Sequence, residues 1–330
     1  MVRIILGGMN QPKIFITRVI PSPGLNLVRE HFLPVAWADE MPPTREKLLE
    51  HVRGVDGLLC LLTEKIDGEL MDAAGPQLKV ISSMSVGVDH IDVAAATARG
   101  IPVGNTPGVL TDATADQAFA LLLAAARRVT EAERFLRAGK WVTWQPSLLL
   151  GADLVGATLG IVGFGRIGQA IAKRAQGFDL RVLYHSPNAQ PAYGAKPVDL
   201  DTLLRESDFV SINVPLKAET RHLVNAGFLA KMKPNAILVN TARGGVLDQT
   251  ALYDALKSKR IFAAALDVTD PEPLPMDCPL LELENCIIVP HLGSASQKTR
   301  DMMSLLAAQN LIAGLRGERL THCVNPQVYG

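Results

Sequence analysis

Short apolar runs alternate along the chain with stretches whose apolar positions recur every three to four residues. The apolar runs are continuous, which is typical of strands that are buried on both faces, as in a parallel sheet. The alternation of strand and helix predicts an α/β fold class. Before residue 106 the pattern predicts strands at 13–17, 57–62, 79–82 and 100–105, with helices such as 44–52 and 67–74 between them.

A second series of the same kind begins near residue 157. Before it, Thr114 and Gln117 have the spacing of a capping box, and the apolar run 118–126 predicts a buried helix that connects the two halves. A last helix is predicted over 298–315, and we expect it to return to the first domain, which is small without it. The second series predicts strands at 158–162, 181–184, 209–214, 236–240, 263–268 and 286–289, and a helix at 249–257.

The composition excludes a mainly disordered chain, and the charge balance argues against nucleic acid as a partner. Of the 330 residues, 48% are hydrophobic and 20% are charged, so the chain can bury enough apolar surface to offset the entropy of ordering. Lys plus Arg number 33 and Asp plus Glu number 33, whereas nucleic-acid binders normally carry a basic excess. We therefore do not expect nucleic acid as a partner, and the motifs below indicate a small-molecule substrate.

Neither a membrane segment nor a metal site is predicted. The apolar run 118–126 is much shorter than the roughly 20 residues of a membrane span. The four cysteines (Cys60, Cys278, Cys286 and Cys323) form no C-x-x-C pair, which indicates a reducing compartment without a disulfide framework or a structural zinc ion. Residues 1–8 do not have the length of a signal sequence, so we expect a cytoplasmic location.

A glycine-rich turn lies between the predicted strand 158–162 and a run, 169–175, that suits a helix. Gly163 permits a tight turn, Gly165 lets the backbone approach a pyrophosphate, and Gly168 lets helix and strand pack closely. The helix N-terminus then presents unpaired N–H groups and a partial positive charge to the phosphates. The glycine spacing and the flanking elements together predict a dinucleotide site.

The residues at the end of the next predicted strand, 181–184, indicate which dinucleotide binds. An NAD site usually has Asp or Glu there to bind the ribose 2′-hydroxyl, but between Arg181 and Asp199 no acid precedes Asp199 itself. The missing carboxylate permits a 2′-phosphate, so we expect NADP(H) to be preferred and NAD(H) to be the alternative. No arginine follows the strand either, which leaves as phosphate partners His185, Ser186, Asn188 and Lys196.

Three later strands are each followed by a residue suited to reduction of a 2-oxo acid. Arg243, Glu272 and His291 come shortly after predicted strands, and the carboxyl ends of strands in an open α/β sheet share one edge where ligands bind. A guanidinium can bind a carboxylate with two parallel hydrogen bonds. An imidazolium can protonate the oxygen as hydride reaches C2, and a neighbouring carboxylate favours that charged ring.

These residues lie within longer stretches by which the chain resembles the D-isomer-specific 2-hydroxyacid dehydrogenases along nearly its whole length. The stretches that carry the family resemblance are 160–168, 231–245, 266–273 and 290–291. A closer likeness to the family's reductases of glyoxylate and hydroxypyruvate is carried by 57–62, 78–87, 109–112, 291–295, 303–308 and 313–318.

The resemblance implies two doubly wound parallel-sheet domains, Rossmann-like or flavodoxin-like, with an active-site cleft between them. The implied substrate-binding domain is discontinuous, with residues 1–107 and 297–330, and the implied dinucleotide-binding domain covers 108–296. The implied activity is the reversible reduction of hydroxypyruvate to D-glycerate and of glyoxylate to glycolate. The implied assembly is a homodimer paired through the cofactor domain, and Trp141 and Trp144 of the predicted loop 139–146 then contribute either to the interface or to ordinary packing.

The resemblance also implies the site residues. Arg243 binds the substrate carboxylate, Glu272 supports the histidine, and His291 is the acid and base. Further residues implied at the substrate are Val86 and Gly87, through their backbone amides, with Asp267 and Ser294 nearby. The residues implied or expected at the cofactor are Gly163, Gly165, Arg166, Ile167, Gly168, His185, Ser186, Asn188, Pro215, Thr241 and Gly293.

The chain departs from the family pattern at the cofactor. The reductases that it resembles commonly have an arginine after the second cofactor-domain strand, where this chain has Ser186-Pro187-Asn188. Two alternatives to the reductase stay open at this point. One is a corepressor-like protein that senses a dinucleotide on the same fold, and the other is a different dehydrogenase of the family, such as D-3-phosphoglycerate dehydrogenase.

Overall fold

A computed structural model of the chain describes residues 11–330, which form two compact units. The first unit contains the described residues up to Val109 together with Ser296–Gly330, and the second is Leu110–Ala295. The prediction that residues 1–8 contain no signal sequence lies outside the described residues. No helix between residues 11 and 330 is long and apolar enough to cross a membrane.

The first unit contains a five-stranded parallel sheet with the order β2-β1-β3-β4-β5. The residues of β1, β3 and β4 are all buried, which explains why these strands have no polar alternation. The strands are β1 (Ile14–Ile16), β2 (Val35–Ala36), β3 (Gly57–Cys60), β4 (Val80–Ser83) and β5 (Val103–Gly104). The helices are α1 (Ser22–His31), α2 (Arg45–His51), α3 (Gly68–Ala74), α4 (Val93–Ala98) and, from the end of the chain, α11 (Gln297–Leu315).

Helix α11 packs directly on this sheet and on α1, so that the end of the chain completes the first unit. Small residues allow the close approach. A Cβ added at Gly314 would lie 2.5 Å from Cβ of Val80, and one at Gly57 would lie 3.0 Å from Leu311. The helix ends before Gly317, whose φ of +74° is in the left-handed region that glycine adopts without strain.

The second unit contains a seven-stranded parallel sheet with the order β12-β11-β10-β9-β6-β7-β8. The order of the strands reverses between β6 and β9, and such a reversal is where doubly wound sheets bind ligands. The strands are β6 (Thr158–Val162), β7 (Arg181–His185), β8 (Lys196–Pro197), β9 (Phe209–Ile212), β10 (Ile237–Asn240), β11 (Ala263–Leu266) and β12 (Cys286–Ile288). The helices are α5 (Thr111–Ala126), α6 (Val129–Arg137), α7 (Arg166–Ala175), α8 (Leu200–Glu206), α9 (Ala226–Lys231) and α10 (Gln249–Lys257).

The two sheets confirm the predicted fold class of doubly wound α/β domains. The prediction that a capping box at Thr114 and Gln117 starts the long helix is wrong, because α5 already begins at Thr111 with Leu110 at its N-cap. Thr114 is buried inside the helix instead. The pattern also gave no sign of the two-residue strands β2 and β8, which are too short to show a periodicity.

Candidate active site

The residues predicted from the second half of the sequence lie along the carboxyl edge of one sheet. Each follows the end of a strand, and the strands are neighbours in the second unit. Moving along the edge, the order is His291 after β12, Asp267 and Glu272 after β11, Thr241 and Arg243 after β10, Pro215 after β9, the glycine-rich turn after β6, and Ser186 with Asn188 after β7.

The glycine-rich turn has the geometry that a dinucleotide requires. Gly163 has a φ of +93°, and a Cβ there would lie 2.7 Å from the carbonyl oxygen of Asn213 on the neighbouring strand end. A Cβ at Gly168 would collide with the carbonyl oxygen of Gly163, whereas the space beside Gly165 is open. Gly165 is the N-cap of α7, and Arg166, Ile167 and Gly168 form its first turn. The glycines therefore allow a tight turn and leave room at the helix N-terminus.

Two buried polar atoms, after the next two strands along the same sheet edge, lack a hydrogen-bond partner among the described residues. They are Oγ1 of Thr241, after β10, and Oδ1 of Asn213, after β9. Buried polar atoms are normally paired, and an unpaired one at a sheet edge indicates a missing ligand or water. The donor and acceptor set therefore fits a bound dinucleotide. The sequence analysis did not single out Asn213, because an asparagine after a strand has no distinctive pattern.

The tip of β7 presents polar side chains. The imidazole of His185 is half-buried, and its Nδ1 lies 3.2 Å from the carbonyl oxygen of Val198. Ser186 is half-buried and Asn188 is exposed. Lys196, on the neighbouring strand β8, is exposed. A 2′-phosphate at this tip would meet no carboxylate from residues 185–188.

His291 and Glu272 form a hydrogen-bonded pair. Nδ1 of His291 lies 2.9 Å from Oε2 of Glu272, and the other carboxylate oxygen, Oε1, accepts the N–H of Thr269 at 2.9 Å. Burial alone would raise the pKa of Glu272, but the hydrogen bond and charge of His291, with the Thr269 N–H and Arg243, outweigh it and lower that pKa. The carboxylate is therefore ionised at neutral pH and orients the ring.

Asp267 fixes the backbone at His291 and at the two residues that follow it. Its buried carboxylate accepts the N–H of Leu292 at 2.6 Å and that of Gly293 at 2.8 Å, while its carbonyl oxygen accepts the N–H of His291 at 2.9 Å. These contacts hold His291 at a φ of +55°, a left-handed conformation. Burial raises the pKa of Asp267 against the effect of the two N–H groups. Asp267 thus fixes the loop that carries His291, and its role at the substrate stays a prediction.

Arg243 is half-buried and follows the end of β10. Its Nη1 donates to the carbonyl oxygen of Ala242 at 2.9 Å, and its own carbonyl oxygen accepts Nδ2 of Asn240 at 3.0 Å. Ser294 is half-buried three residues after His291, and Pro215 is exposed. The second unit thus brings the guanidinium, the imidazole–carboxylate pair and the glycine-rich turn to one sheet edge.

Val86 and Gly87 belong to the first unit and follow β4. Both are half-buried, and their backbone N–H groups donate to no acceptor within residues 11–330. Free amides in a loop suit an anion such as a carboxylate. Their predicted role at the substrate stays a prediction.

Taken together, the reversed parallel sheet, its glycine-rich turn and the acid–base pair at the same edge define an oxidoreductase that uses a nicotinamide dinucleotide. A family model described as "D-isomer specific 2-hydroxyacid dehydrogenase, NAD binding domain" matches residues 119–293. The chain belongs to the D-isomer-specific 2-hydroxyacid dehydrogenases, as the resemblance predicted.

Full-length relatives agree with this assignment. The chain is 52% identical to a glyoxylate reductase of Korarchaeum cryptofilum, covering 96% of this chain and 97% of that one. A crystal structure of the TT0316 protein from Thermus thermophilus matches with a TM-score of 0.90 and 48% identity, covering 94% and 99% of the two chains. An NADPH-dependent glyoxylate/hydroxypyruvate reductase from Sinorhizobium meliloti, solved with NADP and malonate, matches with a TM-score of 0.84 and 34% identity over 96% and 98%. These relatives confirm the prediction of an enzyme over that of a binding protein.

Proposed function

We propose that this chain reduces small 2-oxo acids, converting glyoxylate to glycolate and hydroxypyruvate to D-glycerate in reversible reactions. The observation that carries the proposal is the His291–Glu272 pair, 2.9 Å apart, at the same sheet edge as Arg243 and the glycine-rich turn. The names of the relatives in K. cryptofilum and S. meliloti support the two substrates.

In the proposed mechanism the side chain of Arg243 binds the substrate carboxylate and polarises the adjacent carbonyl group. The free N–H groups of Val86 and Gly87 are proposed to donate to the same carboxylate, with Ser294 close to it. Together these groups would select a molecule that carries a carboxylate next to the reacting carbon.

His291 is proposed to donate the proton that the substrate oxygen needs. The nicotinamide dinucleotide, when bound, supplies the hydride for C2. Because Nδ1 of His291 is bound to Glu272, the other ring nitrogen, Nε2, is the one left to hold and give the proton. The ionised Glu272 favours the charged ring before transfer, and in the reverse reaction His291 takes the proton back.

The dinucleotide is proposed to be held by the carboxyl edge of the second unit, with NADP(H) preferred. The glycine-rich turn and the first turn of α7 would bind the pyrophosphate, and His185, Ser186 and Asn188 would bind the 2′-phosphate. The absence of a carboxylate at the tip of β7 supports this preference, as does the NADPH dependence of the S. meliloti relative. Further contacts are proposed from Pro215, Thr241 and Gly293.

Steady-state kinetics with both acids and both reduced cofactors test the proposal. We expect turnover of glyoxylate and hydroxypyruvate, with kcat/KM higher for NADPH than for NADH. His291→Gln, measured under the same conditions, should lose on the order of 10²-fold or more in kcat because the proton donor is gone. Absence of turnover with both acids, or full activity in His291→Gln, would contradict the proposed function, and a higher kcat/KM with NADH would contradict the cofactor preference.

A homodimer and a cytoplasmic location are also proposed. The segment after α6 carries large apolar side chains in contact with solvent, with Trp141 59% and Trp144 77% exposed. Such a cluster is typical of a surface that a partner covers. The four cysteines, none of them in a disulfide, are consistent with a reducing compartment.

A further inference from the structure

The loop that carries Glu272 is exposed, so apolar packing contributes little to its position. Residues 270–273 are all exposed, whereas Thr269 before them is buried. Thr269 makes two contacts with the loop. Its N–H donates to Oε1 of Glu272 at 2.9 Å, and its hydroxyl group donates to the carbonyl oxygen of Pro271 at 2.9 Å. The position of the Glu272 carboxylate therefore depends on the backbone between Thr269 and Pro271.

A side chain from helix α10 holds the residue that lies between those two. Nε2 of Gln249 donates to the carbonyl oxygen of Asp270 at 2.8 Å, and Oε1 of Gln249 accepts the N–H of Asp270 at 3.1 Å. A primary amide has both donors and an acceptor, so Gln249 pairs with both polar backbone groups of Asp270 at once. The carboxylate of Asp270 takes no part in this contact and faces Arg221 at 3.6 Å.

Gln249 is half-buried and is the first residue of α10, a helix that is itself well anchored. Oδ1 of the N-cap residue Asp248 accepts two N–H groups of the first turn at 3.0 and 3.1 Å, and Leu252 of the same helix is fully buried. The segment before the helix lies directly against the loop, because a Cβ at Gly244 would collide with the carbonyl oxygen of Thr269. Gln249 thus connects the exposed loop to a helix that is fixed by its cap and its packing.

We propose that Gln249 is a positioning residue of the active site, which holds the backbone of Asp270 and thereby keeps the Glu272 carboxylate against the ring of His291. The inference rests on the proposed acid–base role of His291 and adds a residue to it. A carboxylate orients an imidazole and favours its charged form only while the two stay within hydrogen-bond distance, and that distance is 2.9 Å here. Small displacements of a reacting group lower the rate of catalysis sharply.

The proposal has a signature in the pH profile that separates positioning from a general loss of structure. Without Gln249 the Glu272 carboxylate spends part of its time away from His291, so the protonated ring loses part of a favourable partner. The alkaline limb of the profile for reduction then moves to lower pH. Arg243 and Asp267 also act electrostatically on Glu272 or His291, but Gln249 is uncharged, so replacing it by another uncharged residue removes no charge from the site. The change affects proton transfer and not substrate binding, so kcat falls while KM stays nearly constant.

Gln249→Met tests the proposal, because methionine keeps the length of the side chain without its polar groups. Gln77→Met is the matched control. Gln77 is also half-buried, and its Nε2 donates to the carbonyl oxygen of Val55 at 3.2 Å in the first unit. A double variant, Gln249→Met with Glu272→Gln, shows whether Gln249 acts through the charge of Glu272, since residues that act through one another have effects that do not add.

We expect Gln249→Met to lower kcat about 3- to 10-fold at pH 7, with KM for the 2-oxo acid within about twofold of wild type. The alkaline limb should move to lower pH by about half a unit. Hydrogen exchange of the Thr269 amide, followed by NMR in the free enzyme, should become several-fold faster, because this N–H is held by the Glu272 carboxylate. In the Glu272→Gln background, Gln249→Met should lower kcat by less than about twofold further.

The control Gln77→Met should lower Tm and leave kcat, the pH profile and the exchange of the Thr269 amide unchanged. An unshifted alkaline limb in Gln249→Met, an equal shift in Gln77→Met, or an undiminished further loss of kcat in the double variant would overturn the proposal. Full activity of His291→Gln would reject the proposed function, whereas unchanged exchange of the Thr269 amide in Gln249→Met would reject the positioning role, so the two failures are distinguishable.

Discussion

At the residue scale, the charge state of Glu272 decides how His291 is held. The carboxylate oxygens of Glu272 contact the histidine ring on one side and the N–H of Thr269 on the other. The pKa of Glu272 is lowered from its usual value of 4.5, so the carboxylate becomes protonated only at a pH below 4.5. Above that pH the carboxylate is ionised, so Glu272 carries its negative charge beside His291 throughout the neutral pH range.

Glu272→Gln tests this role of the carboxylate. The amide keeps the size of the side chain but not its charge, so the protonated ring loses a favourable partner. We expect kcat/KM for reduction to fall about 10- to 100-fold at pH 7, and the alkaline limb of its pH profile to move to lower pH. Asp270→Asn, which removes an exposed charge two residues away, is the control and should keep the wild-type profile. An unshifted profile in Glu272→Gln would contradict the electrostatic role.

At the element scale, helix starts were predictable where the capping contact is local. Asp67 is the N-cap of α3, and its Oδ1 accepts the N–H of Leu70 at 3.2 Å. The prediction of a helix over 67–74 therefore missed its start by a single residue. Helix α5 is different, because it begins at Thr111 and no side chain caps its N-terminus. A capping pattern inside that helix, at Thr114, gave the wrong start.

Asp67 also makes the stability of the first unit depend on pH. Although burial opposes it, contacts with Arg45 at 2.5 Å and Lys65 at 3.1 Å, together with the Leu70 N–H, lower the pKa of Asp67 to about 2. A pKa below the unfolded value of 3.8 means that the ionised group stabilises the fold above that pH. This contribution is lost as the pH falls from 3.8 through about 2.

Asp67→Asn separates the charge from the cap, because Asn caps a helix about as well as Asp. We expect the free energy of unfolding to drop by roughly 0.5–1 kcal/mol at pH 6, since the ion pair is partly exposed. The difference should shrink as the pH approaches 2. Urea denaturation at several pH values measures both effects. The same exchange at Asp92, which caps α4 and makes no ion pair within residues 11–330, is the control. A difference that stays constant down to pH 2 would rule out the ion pair as its source.

At the scale of the whole molecule, the exposed apolar surface of the second unit bears on assembly. Helix α6 contains no buried residue, and the segment that follows it exposes Trp141, Val142 and Trp144. A second copy of the chain that covered this segment would remove large aromatic surfaces from water, which is the main driving force of association. The proposed homodimer accounts for this exposure.

A double variant, Trp141→Ser with Trp144→Ser, tests the dimer. We expect the dissociation constant to rise by on the order of 10²-fold or more, because buried aromatic side chains dominate interface energies. Light scattering after size exclusion, over a range of protein concentrations, measures it. Val155→Ser, at another exposed apolar residue of the same unit, should leave the dimer intact. A monomeric wild-type protein, or a double variant that dimerises as tightly as wild type, would contradict the assignment.

The sequence by itself determined the α/β rhythm, the family and the glycine-rich turn. These depend on contacts between near neighbours or on residue types in fixed spacing, as in the approach of Gly163 to Gly168. It also indicated Arg243, Glu272 and His291 as a group, because parallel strands end at one edge.

Only the tertiary structure decided which further residues hold the loop after β12 that carries His291, in the second unit, and the loop after β4, in the first. Asp267 binds the N–H groups of Leu292 and Gly293, and Asn105 binds the carbonyl oxygen of Val86, across 25 or 26 and 19 positions of the chain. An asparagine or aspartate in such a role looks like any other polar residue after a strand. Its partner is chosen by strand order and packing, which bring distant segments together and leave no periodic trace in the sequence.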